Sequence, residues 1–338
     1  MRKTKIAING FGRIGRTVLR EILSRDETNL EVVALNSPRP NKIYAHLFKY
    51  DSIHGTFSKD VKFSGDQLQI GNQSIRFFHE QHPEDIPWPD LDVDIVIDSS
   101  GVFRDNESLG KHLRGSVKKV ILCAPGKNVH NTIVMGINHE TYNPETDHII
   151  SNASCTTNCL APVAHVLHKN LGIKNGFMTT IHSYTSDQRL LDHSHHDFRR
   201  ARSAALSMIP TTTGAARSIG LVIPDLKGKF DGYAVRVPTP NVSMVDLTVN
   251  LNNPSTIEDV NNLMKKASES SLNGVLGYSD VPLVSIDYNG NRDSSIFDST
   301  LTNMIDDTCL KIVSWYDNES GFSNRVIDLA KFIAKGLN

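Results

Sequence analysis

Close to the start of the chain an apolar run, Lys5-Ile-Ala-Ile-Asn9, passes directly into Gly10-Phe-Gly12-Arg-Ile-Gly15. Arg16 to Leu23 follows, with Val18, Leu19, Ile22 and Leu23 at helical spacing. The order is buried strand, glycine turn, helix. Gly10 permits the tight turn, Gly12 lets backbone approach a pyrophosphate, and Gly15 lets helix pack on strand. The helix N-terminus, with its free N–H groups and dipole, would receive the pyrophosphate. A lone G-x-G-x-x-G is a weak signal, and the rival reading is an ordinary glycine-rich turn. Here the flanking strand and helix favour the dinucleotide reading.

The pattern continues. Glu31-Val-Val-Ala-Leu35, Val93-Asp-Ile-Val-Ile97 and Lys119-Val-Ile-Leu-Cys123 read as buried strands, the last two followed by turns at Ser99-Ser-Gly101 and Ala124-Pro-Gly126. Strands alternating with helices predict an α/β, Rossmann-type doubly wound parallel sheet with right-handed crossovers. Between them, Phe57 to Phe78 alternates around Gly71-Asn-Gln and reads as a β-hairpin insertion.

Beyond Cys155 the texture changes. Long strands at 176–184, 232–238, 242–250 and 310–316, with few helices between, predict an α+β catalytic domain with a mostly antiparallel sheet. Gln188 to Ser207 reads as a long polar loop. Thr256 to Ser271 reads as an amphipathic helix, and a last helix runs from about Phe322 to Lys335, with Gly336 as its stop. The expected boundaries are 1–153 for a dinucleotide-binding domain, 154–318 for a catalytic domain, and 319–338 for a helix returning to the first.

With 338 residues the chain exceeds one typical domain. A net charge of −1 argues against a large nucleic-acid footprint. No apolar run reaches membrane-spanning length, and the first residues lack a signal-peptide pattern. Four cysteines, at 123, 155, 159 and 309, form no disulfide framework, so a cytoplasmic protein is expected. Cys155 and Cys159 have neither redox nor zinc spacing. The cluster His193-Ser-His195-His196 lacks a separated second ligand group, so no metal is expected.

The chemistry centres on Ser151-Asn-Ala-Ser-Cys155-Thr-Thr-Asn-Cys159. A strand ends at His148-Ile-Ile, and a helix begins with Ser154 as its candidate cap. Cys155 therefore falls at a helix N-terminus, which is expected to lower its thiol pKa and to offer N–H donors to an oxyanion. The competing reading is a buried structural cysteine. A nucleophilic thiol needs a base, and His182 ends a strand 27 residues later. Thr185, Arg200, Thr211-Thr-Thr213-Gly214 and Arg236 have the chemistry of phosphate sites, because Arg gives paired donors and Thr-Gly gives backbone plus hydroxyl.

Together these motifs closely resemble one family, the phosphorylating glyceraldehyde-3-phosphate dehydrogenases. Ile8–Arg16 and Ser151–Asn158 are similar to that family's two signatures. Ile181–Thr185, Arg199–Arg202, Thr211–Ala216, Arg236–Val242 and Trp315–Glu319 follow in family order. The resemblance implies a homotetramer acting on a small-molecule aldehyde and inorganic phosphate; the neutral charge balance and the absence of a long apolar run lead us to expect no nucleic-acid or membrane partner. It implies Cys155 as nucleophile and His182 as base. Thr185 and Arg236 would hold the substrate phosphate, and Arg200, Thr213 and Gly214 the attacking phosphate, with Ser154 and Thr156 beside the thiol. Gly10, Gly12, Arg13 and Ile14 would hold the pyrophosphate, Cys123 a backbone contact, and Asn318 the nicotinamide carboxamide. The long loop would reach a neighbouring subunit's cofactor.

The chain departs from the family in places. Gln81 stands where a basic residue is often found near the ribose, and Ser320-Gly-Phe322 follows Asn318-Glu319 where a larger residue and a tyrosine are usual. Ser37 stands where an NAD-specific site has a carboxylate that repels a 2′-phosphate. Ser37, Arg39 and, from the long loop, Ser194 are the residues expected to meet a 2′-phosphate, so NADP, NAD or both are the expected cofactors. Alternatively, Ser37 only caps a turn and Arg39 is solvated. Two alternatives to the activity are erythrose-4-phosphate oxidation and a nucleic-acid or surface-binding role. The retained Thr211-Thr-Thr-Gly214 favours the phosphorolytic enzyme.

Overall fold

Strand β1 (Thr4–Asn9) ends at the glycine turn, and helix α1 (Arg13–Ser24) starts from it. This computed structural model describes residues 2–25, 29–39 and 41–337. The chain divides into two compact units, one of residues 1–133, 139–153 and 323–338, the other of 134–138 and 154–322.

In the first unit β2 (Leu30–Asn36), α2 (Asn41–Lys49), a small ribbon of β3 (Tyr50–Asp51) and β4 (Gly55–Thr56), β5 (Val61–Ser64), β6 (Gln67–Ile70) and β7 (Gln73–Phe78) follow. Then come β8 (Ile95–Asp98), α3 (Asn106–Gly110), β9 (Lys119–Leu122), β10 (Asn131–Thr132) and β11 (Ile149–Ser151). Nine strands form one sheet in the order β10-β11-β9-β8-β1-β2-β7-β6-β5. Pairing is parallel from β10 to β7 and antiparallel beyond. The stretch expected to be a β-hairpin insertion does form a hairpin, β6–β7 turning at Gly71-Asn72, and with β5 it makes the edge of this sheet. Its last strand, β7, pairs in parallel with β2, and the hairpin widens the sheet from there.

The order reverses at β1, where β2 lies on one side and β8 on the other. Open α/β sheets bind ligands at the carboxyl ends of such strands. Gly10 adopts φ 89°, and a Cβ there would come within 2.4 Å of the Ser100 nitrogen. A Cβ on Gly15 would lie 2.2 Å from the Gly10 carbonyl oxygen. Both glycines are thus required by close packing. The core of the sheet gathers Ala7, Ala34, Val96 and Val120 around fully buried Trp88. Truncating such an aromatic would cost about 3–5 kcal/mol.

The second unit begins with α4 (Cys155–Leu171) and the long strand β12 (Ile173–Ser183). It continues with β13 (Ile209–Thr212), α5 (Ala215–Val222), β14 (Phe230–Val237), β15 (Ser243–Leu251), α6 (Ile257–Glu269), β16 (Leu276–Ser279), β17 (Ser295–Ile305) and β18 (Cys309–Tyr316). Helix α7 (Ser320–Ala334) starts two residues earlier than its apolar spacing suggests, and from Ser323 onward it belongs to the first unit. Its start is set by Asp317, whose Oδ1 accepts from the Glu319 and Ser320 N–H groups. The seven strands lie in the order β13-β14-β12-β15-β18-β17-β16. The sheet is mixed: β12–β14 and β16–β17 are parallel, the other pairs antiparallel.

Strand β12 positions the site. Its alternation buries Met178, Thr180 and His182 on one face and leaves Phe177 exposed on the other. Between β12 and β13 the chain runs as a loop with an isolated bridge from Arg189 to Ser203. It is less polar at its surface than its sequence suggests, because Leu190, Leu191, Phe198 and Leu206 are all exposed.

Candidate active site

The chain leaves β11 through Ala153, whose φ of 56° is left-handed and costly for a residue with a Cβ. Ser154 then turns extended and caps α4, its Oγ accepting from the Thr157 N–H at 3.0 Å. Cys155 is the first helical residue. Its Sγ lies 3.6 Å from Nε2 of His182, so the two residues expected to work together meet.

The electrostatics differ from expectation. Cys155 keeps an opening to solvent, but close protein packing pushes its thiol above the usual value. The Arg236 charge and contacts with Thr156 pull it part of the way back. Burial, helped by Arg236, lowers His182 to about 3. Burial thus favours the uncharged form of each partner, thiol and neutral imidazole. The expected depression of the thiol by the helix terminus is outweighed by desolvation, which penalises whichever group is charged.

Around the pair stand the expected cations. Nη1 of Arg236 lies 2.8 Å from Nδ1 of His182 and donates to the Ser183 carbonyl at 3.0 Å. Arg200 donates from Nε to Thr211 Oγ1 at 2.9 Å, from Nη2 to the Thr212 carbonyl at 3.0 Å, and from Nη1 to Asp187 at 2.5 Å. Arg200 is thus joined to the end of β13, just before Thr213 and Gly214. Thr213 Oγ1 accepts from the Ala215 N–H, and Gly214 caps α5 with open space around its α-carbon. Thr185 is half-buried at the start of the loop, its N–H donating to Gln188. Ser194, on the exposed loop, holds its carbonyl against Arg189 Nε at 2.9 Å.

Sequence reasoning missed three supporting groups. A buried hydroxyl chain runs from Thr156 Oγ1 to Tyr316 at 2.8 Å and on to Thr180 Oγ1 at 2.9 Å, directly behind Cys155. Ser183 and Ser243 donate to Oδ1 of Asn318, fixing that amide. Asp187 and Asp197 flank Arg200. Tyr316 lies inside the Trp315–Glu319 motif, so a signal for it was present. The aspartates carry no such mark.

In the first unit Gly12 caps α1 without a side-chain hydrogen bond, and nothing lies within 4 Å of where its Cβ would stand. That leaves room for a pyrophosphate at the helix start, beside half-buried Ile14. The Arg13 guanidinium is committed elsewhere, in a paired contact with Asp51 at 3.0 and 3.1 Å. Any contact it makes to a pyrophosphate is left to its backbone. Ser37 is buried and its Oγ bonds the Tyr44 hydroxyl, while Arg39 and Gln81 are exposed. Cys123 follows β9, and burial, with the Asp98 charge, pushes its thiol well up. Among the described residues no group of three His, Cys, Asp or Glu side chains is placed to hold a metal.

Fold and site define a class: a two-unit α/β protein with a Rossmann-type sheet and a helix-terminal thiol facing an imidazole. Residues 4–106 match the NAD binding domain of glyceraldehyde 3-phosphate dehydrogenase and residues 154–318 its C-terminal domain. The chain belongs to the glyceraldehyde-3-phosphate dehydrogenase family. It is 54% identical over 334 residues to the glyceraldehyde-3-phosphate dehydrogenase of Geobacillus stearothermophilus, covering 98% of this chain and 99% of that one. It is 52% identical to glyceraldehyde-3-phosphate dehydrogenase 1 of Bacillus cereus, covering 99% and 100%. Identity to glyceraldehyde-3-phosphate dehydrogenase 2 of Trichormus variabilis is 49%, covering 98% of each.

Proposed function

We propose that this protein catalyses the reversible, phosphorylating oxidation of D-glyceraldehyde 3-phosphate to 1,3-bisphosphoglycerate with NAD or NADP. The observation that carries this reading is the 3.6 Å approach of Cys155 Sγ to His182 Nε2. A neutral imidazole can take the thiol proton as Sγ adds to the aldehyde carbon. It then returns that proton to the new alkoxide, giving a thiohemiacetal. The Cys155 N–H at the start of α4 is suited to donate to that oxygen.

His182 next accepts the hydroxyl proton as hydride leaves the carbon. The bound nicotinamide supplies the two-electron acceptor for that hydride. Inorganic phosphate attacks the thioester, an acyl C–O bond forms, and the C–S bond breaks. The departing thiolate recovers its proton from His182. In this reading Arg236 and Thr185 hold the substrate phosphate, and Arg200, Thr213 and Gly214 hold the attacking one. Asn318 holds the nicotinamide carboxamide, since its Oδ1 is already anchored by Ser183 and Ser243.

We read the cofactor preference as NADP, alone or alongside NAD. Ser37 presents a hydroxyl and no carboxylate at the end of β2, so repulsion of a 2′-phosphate is absent. Arg39 is exposed two residues on, and Ser194 lies on the long loop. The exposed apolar side chains of that loop support assembly into a homotetramer. Four free cysteines fit a reducing cytoplasm. Among the described residues no helix is long and apolar enough to cross a membrane. Side-by-side initial rates with the three-carbon and four-carbon aldehyde phosphates, with and without phosphate, test the reading. Preference for the four-carbon substrate, or phosphate-independent turnover, would overturn it.

A further inference from the structure

Behind the glycine turn a chain of buried polar groups crosses the carboxyl ends of β8, β1 and β2. Trp88 Nε1–H donates to Nδ1 of His112 at 3.1 Å. Nδ1 is therefore an acceptor, and the ring proton of the neutral imidazole sits on Nε2. Nε2 lies 3.2 Å from Oδ2 of Asp98 and donates to it. The same oxygen accepts from Asn9 Nδ2 at 2.8 Å. Asn9 Oδ1 accepts in turn from Asn36 Nδ2 at 2.8 Å, and Asn36 Oδ1 from the Glu80 N–H at 2.9 Å. Trp88, His112 and Asp98 each have 0% exposure, and none of the three enters the thiol chemistry.

The other carboxylate oxygen faces the turn after β8. Asp98 Oδ1 accepts from the Ser100 N–H at 3.1 Å and from Ser100 Oγ at 2.7 Å. Ser100 is the backbone against which Gly10 is pressed. Ser99 ties the same turns together, its N–H donating to the Asn9 carbonyl and its Oγ to the Gly10 carbonyl at 2.6 Å. Asp98 thus orients the β8 turn against the glycine turn. His112 fixes the rotation of Asp98, and Trp88 fixes the tautomer of His112. Buried networks of this kind hold geometry only when every member is satisfied.

We propose that Trp88 and His112 are positioning residues for dinucleotide binding, acting through Asp98 on the turns after β1 and β8. This rests on the reading that a dinucleotide binds at the glycine turn. A purely structural role would lower thermal stability and leave dinucleotide affinity alone wherever the protein stays folded.

The test is calorimetric titration of NAD and NADP into the cofactor-free full chain. His112→Leu is expected to weaken binding of the preferred dinucleotide about tenfold, the scale of one lost hydrogen bond to a charged group. Alkylation of Cys155, which belongs to the other unit, should keep its wild-type rate. His112→Gln can accept from Trp88 and donate to Asp98, so it should recover most of the affinity. If His112→Leu does not fold, Trp88→Phe removes the tautomer-fixing donor together with part of the buried indole volume, and the loss of dinucleotide affinity expected from the donor is about threefold. Unchanged affinity in the folded variant, with a wild type that binds, overturns the positioning role alone. A wild type that binds neither dinucleotide overturns the dinucleotide reading and the proposal with it.

Discussion

Arg236 sets Nη1 2.8 Å from Nδ1 of His182, the ring nitrogen that does not face Cys155. The Ser183 carbonyl lies 2.7 Å from the same nitrogen. When Nδ1 carries the proton it donates to Ser183, and the Nε2 lone pair faces the thiol as a base. When Nδ1 accepts from Arg236, Nε2–H becomes a donor toward a thiolate or an oxyanion. One ring can therefore serve both halves of the reaction without moving. Burial, and after it the guanidinium, also lowers the basicity of the ring. A phosphate dianion on Arg236 would relax that effect and make His182 a stronger base as substrate arrives.

His182→Asn should lower turnover by about 10²-fold or more, the range of general acid–base catalysis, and flatten its pH dependence. Stability should change with pH as well. The folded ring, at about 3, binds fewer protons than the unfolded one, whose usual value is about 6.5. This contribution to stability is fully present above about pH 6.5 and is lost as pH falls toward 3. Urea unfolding of wild type and variant at neutral and mildly acid pH checks it. The stability advantage of wild type over variant should shrink in acid, and a constant difference would contradict the assignment.

Arg236→Ala should shift the pH profile of Cys155 alkylation to higher pH, since the guanidinium opposes the effect of burial on the thiol. The KM for the aldehyde phosphate should rise as well. An alkylation profile identical to wild type would remove Arg236 from the thiol's environment.

Cys155 should be the only essential thiol. Cys159 is buried beside Ser295 and Ser314, and its thiol is pushed up to about 12 by burial. Cys155→Ser is expected to fold, bind dinucleotide and lack activity, while Cys159→Ser stays active. Equal inactivity in two well-folded variants would contradict this.

Ser37→Asp should move the ratio of specificity constants toward NAD by roughly an order of magnitude or more. The new carboxylate would accept hydrogen bonds from the ribose hydroxyls of NAD and repel the 2′-phosphate of NADP. The Tyr44 hydroxyl that bonds Ser37 can donate equally to a carboxylate, so the variant should fold. Absence of any wild-type activity with NADP would defeat the cofactor reading.

The sequence exposes most of this because periodicity and turn chemistry are local. Gly10, Gly12 and Gly15 announce the first strand, turn and helix, and Ser154 announces its cap. The placement of β7 beside β2 is not local. An alternating segment looks alike whether it stands apart or extends a sheet. The resting charge of the Cys155–His182 pair was also hidden, because desolvation depends on neighbours brought in by β14 and β18. Arg200 was legible as a cation in the Arg199–Arg202 motif. Its partners Asp187 and Asp197 were not, since isolated aspartates in a loop carry no pattern.

Everything in the proposed chemistry turns on a thioester that forms on Cys155 during oxidation and is released by phosphate. Intact and peptide mass spectrometry after mixing protein, dinucleotide and D-glyceraldehyde 3-phosphate without inorganic phosphate tests it directly. A 3-phosphoglyceroyl adduct on Cys155 should accumulate and then vanish on addition of phosphate, with 1,3-bisphosphoglycerate appearing. Turnover with no adduct on Cys155, or an adduct whose loss is indifferent to phosphate, would contradict it.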